Sequence, residues 1–154
     1  MSTSDALAVA QAYVSAVETK DRDGVASVLA DGVRHVFPIA VGAVEHPQAI
    51  FEGKDEVLAY IDSTFRKFES LRWPSPDWTG SEDGRRAFLE AKGDAVVAHS
   101  KAPYRNTYMF RFDVADGLIT QITEYTSSEL YVAQGIEPVE VEIRAAQRAA
   151  QLEG

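Results

Sequence analysis

The 154-residue chain predicts an α+β fold with helices first and then a run of antiparallel strands. Three observations carry that expectation. Apolar residues recur at helical spacing through the N-terminal part of the chain. From Trp73 onward the pattern changes to period two, the repeat of a half-buried strand. Asp83-Gly84, Gly93-Asp94 and Asp116-Gly117 then punctuate the strand-like runs as turns. Helices first and a run of strands afterwards is an α+β order, distinct from alternating βαβ units. The length corresponds to a single domain over 1–154, which buries roughly 70% of its unfolded surface.

The first helix spans about 5 to 20. Leu7, Ala10, Val14 and Val17 form its stripe, Tyr13 lies beside them, Ser4 is a natural N-cap and Asp5 stands in the first turn. A short second helix carries Val25, Val28 and Leu29, with Gly32 where a helix stops. Val33 to Phe37 is β-branched and aromatic, ends at Pro38, and reads as a strand. Residues 39 to 53 show no period, and a loop of that length suits a lid or a binding loop. A third helix runs from about 54 to 70 on Val57, Ile61, Phe65 and Phe68, with Leu58 and Tyr60 flanking. Strands follow at roughly 72–80, 86–92, 95–102, 104–114 and 118–126. A C-terminal helix spans about 138 to 152, with Arg144 and Arg148 on one flank, and suits packing or capping of a dimer. A curved sheet around a helix can enclose a cavity, the default place for a small-molecule site.

Composition narrows the chemistry. Hydrophobic residues make up 45% and charged residues 25%, as in ordinary globular domains. With 24 acidic against 15 basic residues the net charge is −9, which argues against nucleic acid and against anionic membrane surfaces. Most of those carboxylates are expected on a solvated exterior. The absence of cysteine removes disulfides, thiol nucleophiles and thiolate metal sites. Met1 to Asp5 has neither the basic start nor the apolar run of a signal peptide, and no stretch approaches the ~20 apolar residues of a membrane span, so a cytoplasmic location is expected. His35, His46 and His99 are scattered without paired spacing, and HExxH is absent, so no metal is expected. His46 in the long loop and His99 at a strand end read as structural or exposed. No phosphate-binding glycine loop, dinucleotide fingerprint or nucleophile elbow occurs, and no cofactor is expected.

The run from 104 carries the most information. Tyr104, Asn106, Tyr108, Phe110 and Phe112 alternate with Arg105, Thr107, Met109, Arg111 and Asp113, so the first set faces inward. Two phenols and an amide on an inward face each need a partner. The facing of Glu124 on the next strand depends on the turn. A two-residue turn at Asp116-Gly117 pairs Tyr108 with Tyr125 and points Glu124 outward. A three-residue turn with a G1 bulge pairs Val114 with Leu118 and Tyr108 with Glu124, placing Leu118, Thr120, Ile122 and Glu124 inside and Gln121 and Thr123 outside. The second is favoured, although a one-residue slip reverses it. A buried carboxyl is how a glutamate becomes a usable general acid or base near neutral pH. His35 alternates with Val33 and Phe37 and shares their inward face, as a catalytic group or as a satisfied core histidine. Tyr60 on the long helix is read as a donor into the pocket or as a packing residue.

Several motifs together resemble a known family. They are Gly53-Lys54-Asp55, Leu71-Arg72-Trp73 with Trp78, Phe88-Leu89-Glu90 with Gly93, Tyr104-Arg105-Asn106 with Phe112, Asp116-Gly117-Leu118-Ile119, Glu124-Tyr125 and Gly135-Ile136-Glu137-Pro138. In order and spacing they are similar to the SnoaL-like branch of the nuclear transport factor 2-like superfamily, and within it to the phenazine-biosynthesis A/B proteins. The resemblance implies a cone-shaped α+β barrel that forms a homodimer through the outer face of its sheet. It also implies cofactor-free acid–base chemistry on a small organic molecule. The superfamily includes polyketide cyclases, ketosteroid isomerases, dehydratases and epoxide hydrolases. Glu124 matches the acid–base glutamate of the phenazine-type members and Tyr104 a pocket tyrosine. Tyr60 stands where those members carry a histidine, a departure from phenazine chemistry that leaves an acid–base pocket intact.

The expected function is therefore that of an isomerase, cyclase or dehydratase of secondary metabolism. Glu124, Tyr104, Tyr60 and His35 are its candidate catalytic residues. Asn106, Tyr108, Phe110, Tyr13, Phe37 and Trp78 are expected to contact the substrate, whereas Trp73, Phe65 and Phe68 read as core. The alternative is a non-catalytic protein that binds a hydrophobic small molecule. An epoxide hydrolase would need two inward carboxylates and an arginine, for which Asp62 with Arg111 is a poor set.

Overall fold

The computed structural model describes residues 4–42, 47–137, 139, 142, 143, 145, 147 and 148. Helix α1, Ser4–Glu18, buries Ala6, Ala10, Tyr13, Val14 and Val17, close to the stripe that its sequence predicts. Helix α2, Arg22–Ser27, starts where the Asp21 carboxylate accepts the Gly24 N–H at 2.9 Å, an N-cap that satisfies an otherwise orphaned donor. It stops earlier than expected. Strand β1, Leu29–Phe37, begins at once because Leu29 pairs with Ile119, so Gly32 lies within a strand instead of closing a helix.

The segment expected as a loop contains strand β2, Ala49–Glu52, antiparallel to β1. Four residues are too few for their alternation to stand out. Helix α3, Lys54–Lys67, follows Gly53, whose φ of 88° suits glycine. Its end is also earlier than expected. Lys20 Nζ donates to the carbonyls of Phe65 and Phe68 at 2.9 and 2.8 Å, satisfying the helix terminus. Phe68 therefore opens strand β3, Phe68–Arg72, and the helical stripe ends at Phe65.

Strands β4 (Asp77–Gly80), β5 (Arg86–Lys92), β6 (Asp94–Val97), β7 (Pro103–Tyr104), β8 (Thr107–Ala115) and β9 (Leu118–Thr126) complete two sheets. One runs β2-β1-β9-β8-β5-β4 and the other β3-β6-β7. Every pairing is antiparallel except β1 with β9. The fold is α+β, as expected, but the two sheets do not close into a barrel. The single strand expected over 104–114 is also divided: Tyr104 belongs to the small sheet, and β8 starts in the large one after Asn106. Helix α1 packs on β3, β4, β5, β8 and β9, and α3 packs on β1, β2 and β3.

A short helix that sequence periodicity does not announce, α4 (Ser128–Ala133), follows β9, with the Ser127 hydroxyl accepting the Leu130 N–H. Of the expected C-terminal helix, the described residues 139, 142, 143, 145, 147 and 148 are helical, and Arg148 is exposed. Pro138 and Arg144 lie outside the described residues, as does His46. His99 is exposed in the turn after β6. Among the described residues no helix is long and apolar enough to cross a membrane.

Candidate active site

The β8–β9 hairpin decides where the central carboxylate points. Asp116 and Gly117 both have positive φ, 54° and 75°, and Ala115 pairs with Leu118. This is the two-residue type I′ turn, not the three-residue turn the sequence favoured. Alone it would face Phe110 with Thr123 and turn Glu124 outward. A bulge intervenes: Val114 pairs with Ile119, but Asp113 pairs with Gln121, leaving Thr120 as the extra residue. Beyond it Phe110 pairs with Glu124 and Tyr108 with Thr126. Glu124 thus faces inward, 7% exposed, by a route that differs from the expected one. Ile119 is buried and Leu118 is 36% exposed, the reverse of the expected facing. Thr120 is half-buried. Thr123 lies on the outer face yet is buried between its partners Val36 and Arg111.

Strand β1 runs beside β9 and brings His35 to this carboxylate. His35 Nε2 lies 3.0 Å from Glu124 Oε1, and the histidine is only 1% exposed. Its ring stacks on Phe37 at 4.8 Å and meets Tyr60 edge-on at 5.2 Å. His35 Nδ1 is buried without a partner.

The pair borders a cavity of about 50 Å³ lined by residues from both sheets, α1, α3 and the C-terminal segment. That is room for several water molecules. Tyr13, Phe37, Tyr60, Tyr104, Tyr108 and Phe110 all border it with His35 and Glu124. Burial, and next the charge of Glu124, push the Tyr13 and Tyr60 phenols far above their ordinary range. Burial and the neighbouring Tyr104 do the same for Tyr108. Tyr104 is raised chiefly by burial. These phenols are therefore O–H donors, not phenolates, in the folded protein.

Asn106 is spoken for. Its Nδ2 donates to Tyr104 Oη at 2.6 Å and to the Ser127 carbonyl at 2.9 Å. Its Oδ1 accepts the N–H groups of Thr107 and Ser127 at 2.8 and 3.1 Å. Both amide hydrogens and both lone pairs are used within the protein, so Asn106 orients Tyr104 and does not border the cavity. Trp78 is also absent from the cavity wall. It packs on Phe112 at 6.0 Å, because β4 lies at the sheet edge on the far side of β5.

Other residues reach the cavity that the sequence pattern left unassigned or placed in the core: Thr64, Lys67, Phe68, Trp73 and Tyr131. Tyr60, Thr64 and Lys67 are spaced i, i+4, i+7, one face of α3, a signal present in the sequence. Asp62 pairs instead with Arg22 at 2.8 Å and Arg111 with Asp113 at 3.0 Å, so no two-carboxylate-plus-arginine set forms. Among the described residues no cluster of three His, Cys, Asp or Glu could hold a metal. What remains is a partly open, largely aromatic hollow with one carboxylate, one imidazole, one ammonium and several neutral phenol donors.

A family model described as SnoaL-like domain matches residues 10–122. Among solved structures, an NTF2-like protein from Burkholderia xenovorans superposes with a TM-score of 0.71 at 18% identity, over 86% of this chain and 97% of that one. A phenazine biosynthesis-related protein from Pseudomonas aeruginosa superposes with a TM-score of 0.72 at 13% identity, over 85% and 80%. A candidate polyketide cyclase from Xanthomonas campestris superposes with a TM-score of 0.66 at 22% identity, over 84% and 96%. Likeness at such identities establishes the shared fold alone. No curated protein sequence matches the chain.

Proposed function

Because the chain belongs to the SnoaL-like domain family, we propose that it is a cofactor-independent enzyme that moves a proton on a small organic carbonyl compound, as an isomerase, cyclase or dehydratase of biosynthesis. The observation that carries this reading is the buried Glu124–His35 pair, ringed by protonated phenols at one cavity. In the proposed step the Glu124 carboxylate takes a proton from the carbon next to the carbonyl. The C–H electron pair moves into an enolate, whose oxygen accepts a hydrogen bond from Tyr60 or Tyr104. Donors already in place for a developing oxyanion need little reorganisation as it forms. Protonated Glu124 then returns the proton to another carbon, or to a hydroxyl that leaves as water. In a cyclase the enolate carbon attacks a second carbonyl instead, and protonated Glu124 gives its proton to the alkoxide that forms. The His35 Nε2–H donates to the carboxylate and fixes its orientation.

Exchange of an acidic C–H tests the step whatever the natural substrate is. Enolisable ketones are incubated with the protein in D₂O, and loss of the α-proton signal is followed by NMR. The wild-type protein should accelerate exchange, and Glu124→Gln should lower the rate by at least about 10²-fold with its melting temperature retained. Equal rates for the two proteins would remove Glu124 from the mechanism. The largely aromatic wall also suits a non-catalytic binder of hydrophobic molecules, and ligand binding without any exchange would favour that reading.

We also read the outer face of the large sheet as a homodimer surface. Met109 and Tyr125 are cross-strand partners there, 39% and 43% exposed, and form an apolar pair on that face.

A further inference from the structure

The proton-transfer step uses one side of the cavity, while another part of the wall holds charge that the step leaves unused. Lys67, in the last turn of α3, borders the same cavity as Glu124. Its Nζ donates to Tyr131 Oη at 3.0 Å and lies 2.7 Å from Glu142 Oε1. The rings of Tyr60 and Tyr131 stand 5.2 and 5.3 Å from it, an aromatic setting that favours a cation. Glu142 reaches it from the C-terminal helical segment. The Ser63 hydroxyl donates to the same Oε1 at 3.2 Å, but Oε2 is buried with no partner. Burial holds the Glu142 carboxyl above the usual carboxylate range.

A buried ion pair is a weak stabilising device, because the desolvation of both charges offsets much of their attraction. This one is also incomplete, with one carboxylate oxygen bare. Lys67, however, is the one lysine or arginine among the described residues that border the cavity. In a chain of net charge −9, an anionic ligand gains nothing from the overall field and needs a local cation. An ammonium has three donors, and Tyr131 and Glu142 engage two of them among the described residues. Tyr60 borders the same cavity, with its ring 5.2 Å from Lys67 Nζ and edge-on to His35 at 5.2 Å, so it touches both polar groups.

We propose that Lys67, held by Tyr131, is a carboxylate-binding subsite, in which a carboxylate on the substrate accepts a hydrogen bond from the ammonium on its cavity side. This rests on the acid–base reading of the cavity and narrows its substrate class to small carbonyl compounds that carry a carboxylate. The carboxylate lies at Lys67 and the acidic C–H at Glu124, with the ligand body against Tyr60. Glu142 partners Lys67 from outside that cavity's wall, where it lines a separate pocket with Ser63 and Glu137, and its charge offsets that of the ammonium.

The test compares two probes of equal shape and different charge, phenylacetate and phenylacetamide, by calorimetric titration. Wild-type protein should bind phenylacetate on the order of tenfold more tightly, the weight of a charge-assisted hydrogen bond. Lys67→Met should abolish that preference. Glu142→Gln removes the competing charge at nearly constant size, and should tighten phenylacetate while leaving phenylacetamide unchanged. This second variant keeps the test decisive if Lys67→Met does not fold. Equal binding of the two probes by wild type, no binding of either, or weaker phenylacetate binding by Glu142→Gln would overturn the subsite. Glu124→Gln should retain the preference for phenylacetate, so loss of carboxylate selection and loss of proton transfer are separately readable.

Discussion

Asn106 shows how much of a site's geometry can hang on a residue outside the cavity wall. Its amide closes four hydrogen bonds at the junction of β7, β8 and the β9–α4 connection. Replacing it with Ala leaves the Tyr104 hydroxyl and three backbone groups of Thr107 and Ser127 without these partners. The expected cost is about 2–3 kcal/mol, since each buried polar group left unsatisfied costs more than its hydrogen bond contributes. Chemical denaturation would measure it, and a loss under ~0.5 kcal/mol would mean that water replaces the amide. The amide's presence inside is legible from the alternation of 104 to 112. Its saturation is not, because two of its partners belong to Ser127, twenty-one residues away.

At the scale of elements, the β8–β9 hairpin combines a tight turn with a compensating bulge. Type I′ geometry requires positive φ at both central residues, which Asp116 and Gly117 supply. Asp116→Val, a β-branched residue in a left-handed conformation, should lower stability by about 1–2 kcal/mol. Asp116→Gly should be close to neutral. Parallel thermal melts decide this, and equal melting temperatures for the two variants would contradict the turn assignment. Asp-Gly announces the turn in the sequence. The bulge at Thr120 has no such signature, because it reflects the accommodation of β9 between β8 on one side and the parallel β1 on the other. Likewise α3 ends at Lys67 because a lysine from beyond α1 satisfies its terminus, a long-range event that helical periodicity cannot register. Strand β2 is four residues inside a segment without a period, so no local repeat marks it.

For the whole molecule, the two faces of the large sheet divide the work. The inner face, covered by α1 and α3, holds the cavity. On the outer face, Met109 and Tyr125 are the centre of the proposed dimer contact. Light scattering should give wild-type protein a mass twice the 16.9 kDa of the chain, and Met109→Glu combined with Tyr125→Glu should halve it. Two charges facing their symmetry mates across an apolar contact are costly to desolvate. A wild-type mass of one chain would discard the dimer.

Local pattern alone determined that the chain is α+β, which face of the 104–112 run is buried, and that tyrosines and a glutamate were available for one pocket. Those features follow from periodicities of 3.6 and 2, which any stretch of chain carries within itself. Tertiary structure decided that Glu124 faces inward and that His35 meets it across the parallel β1–β9 pairing. It also decided that Asn106 is consumed by the Tyr104 hydroxyl and the backbone of Thr107 and Ser127, and that Lys67 and Glu142 come together from distant helices. Each depends on register or on packing between segments far apart in sequence. The energy that selects such contacts is shared among residues that no local window contains.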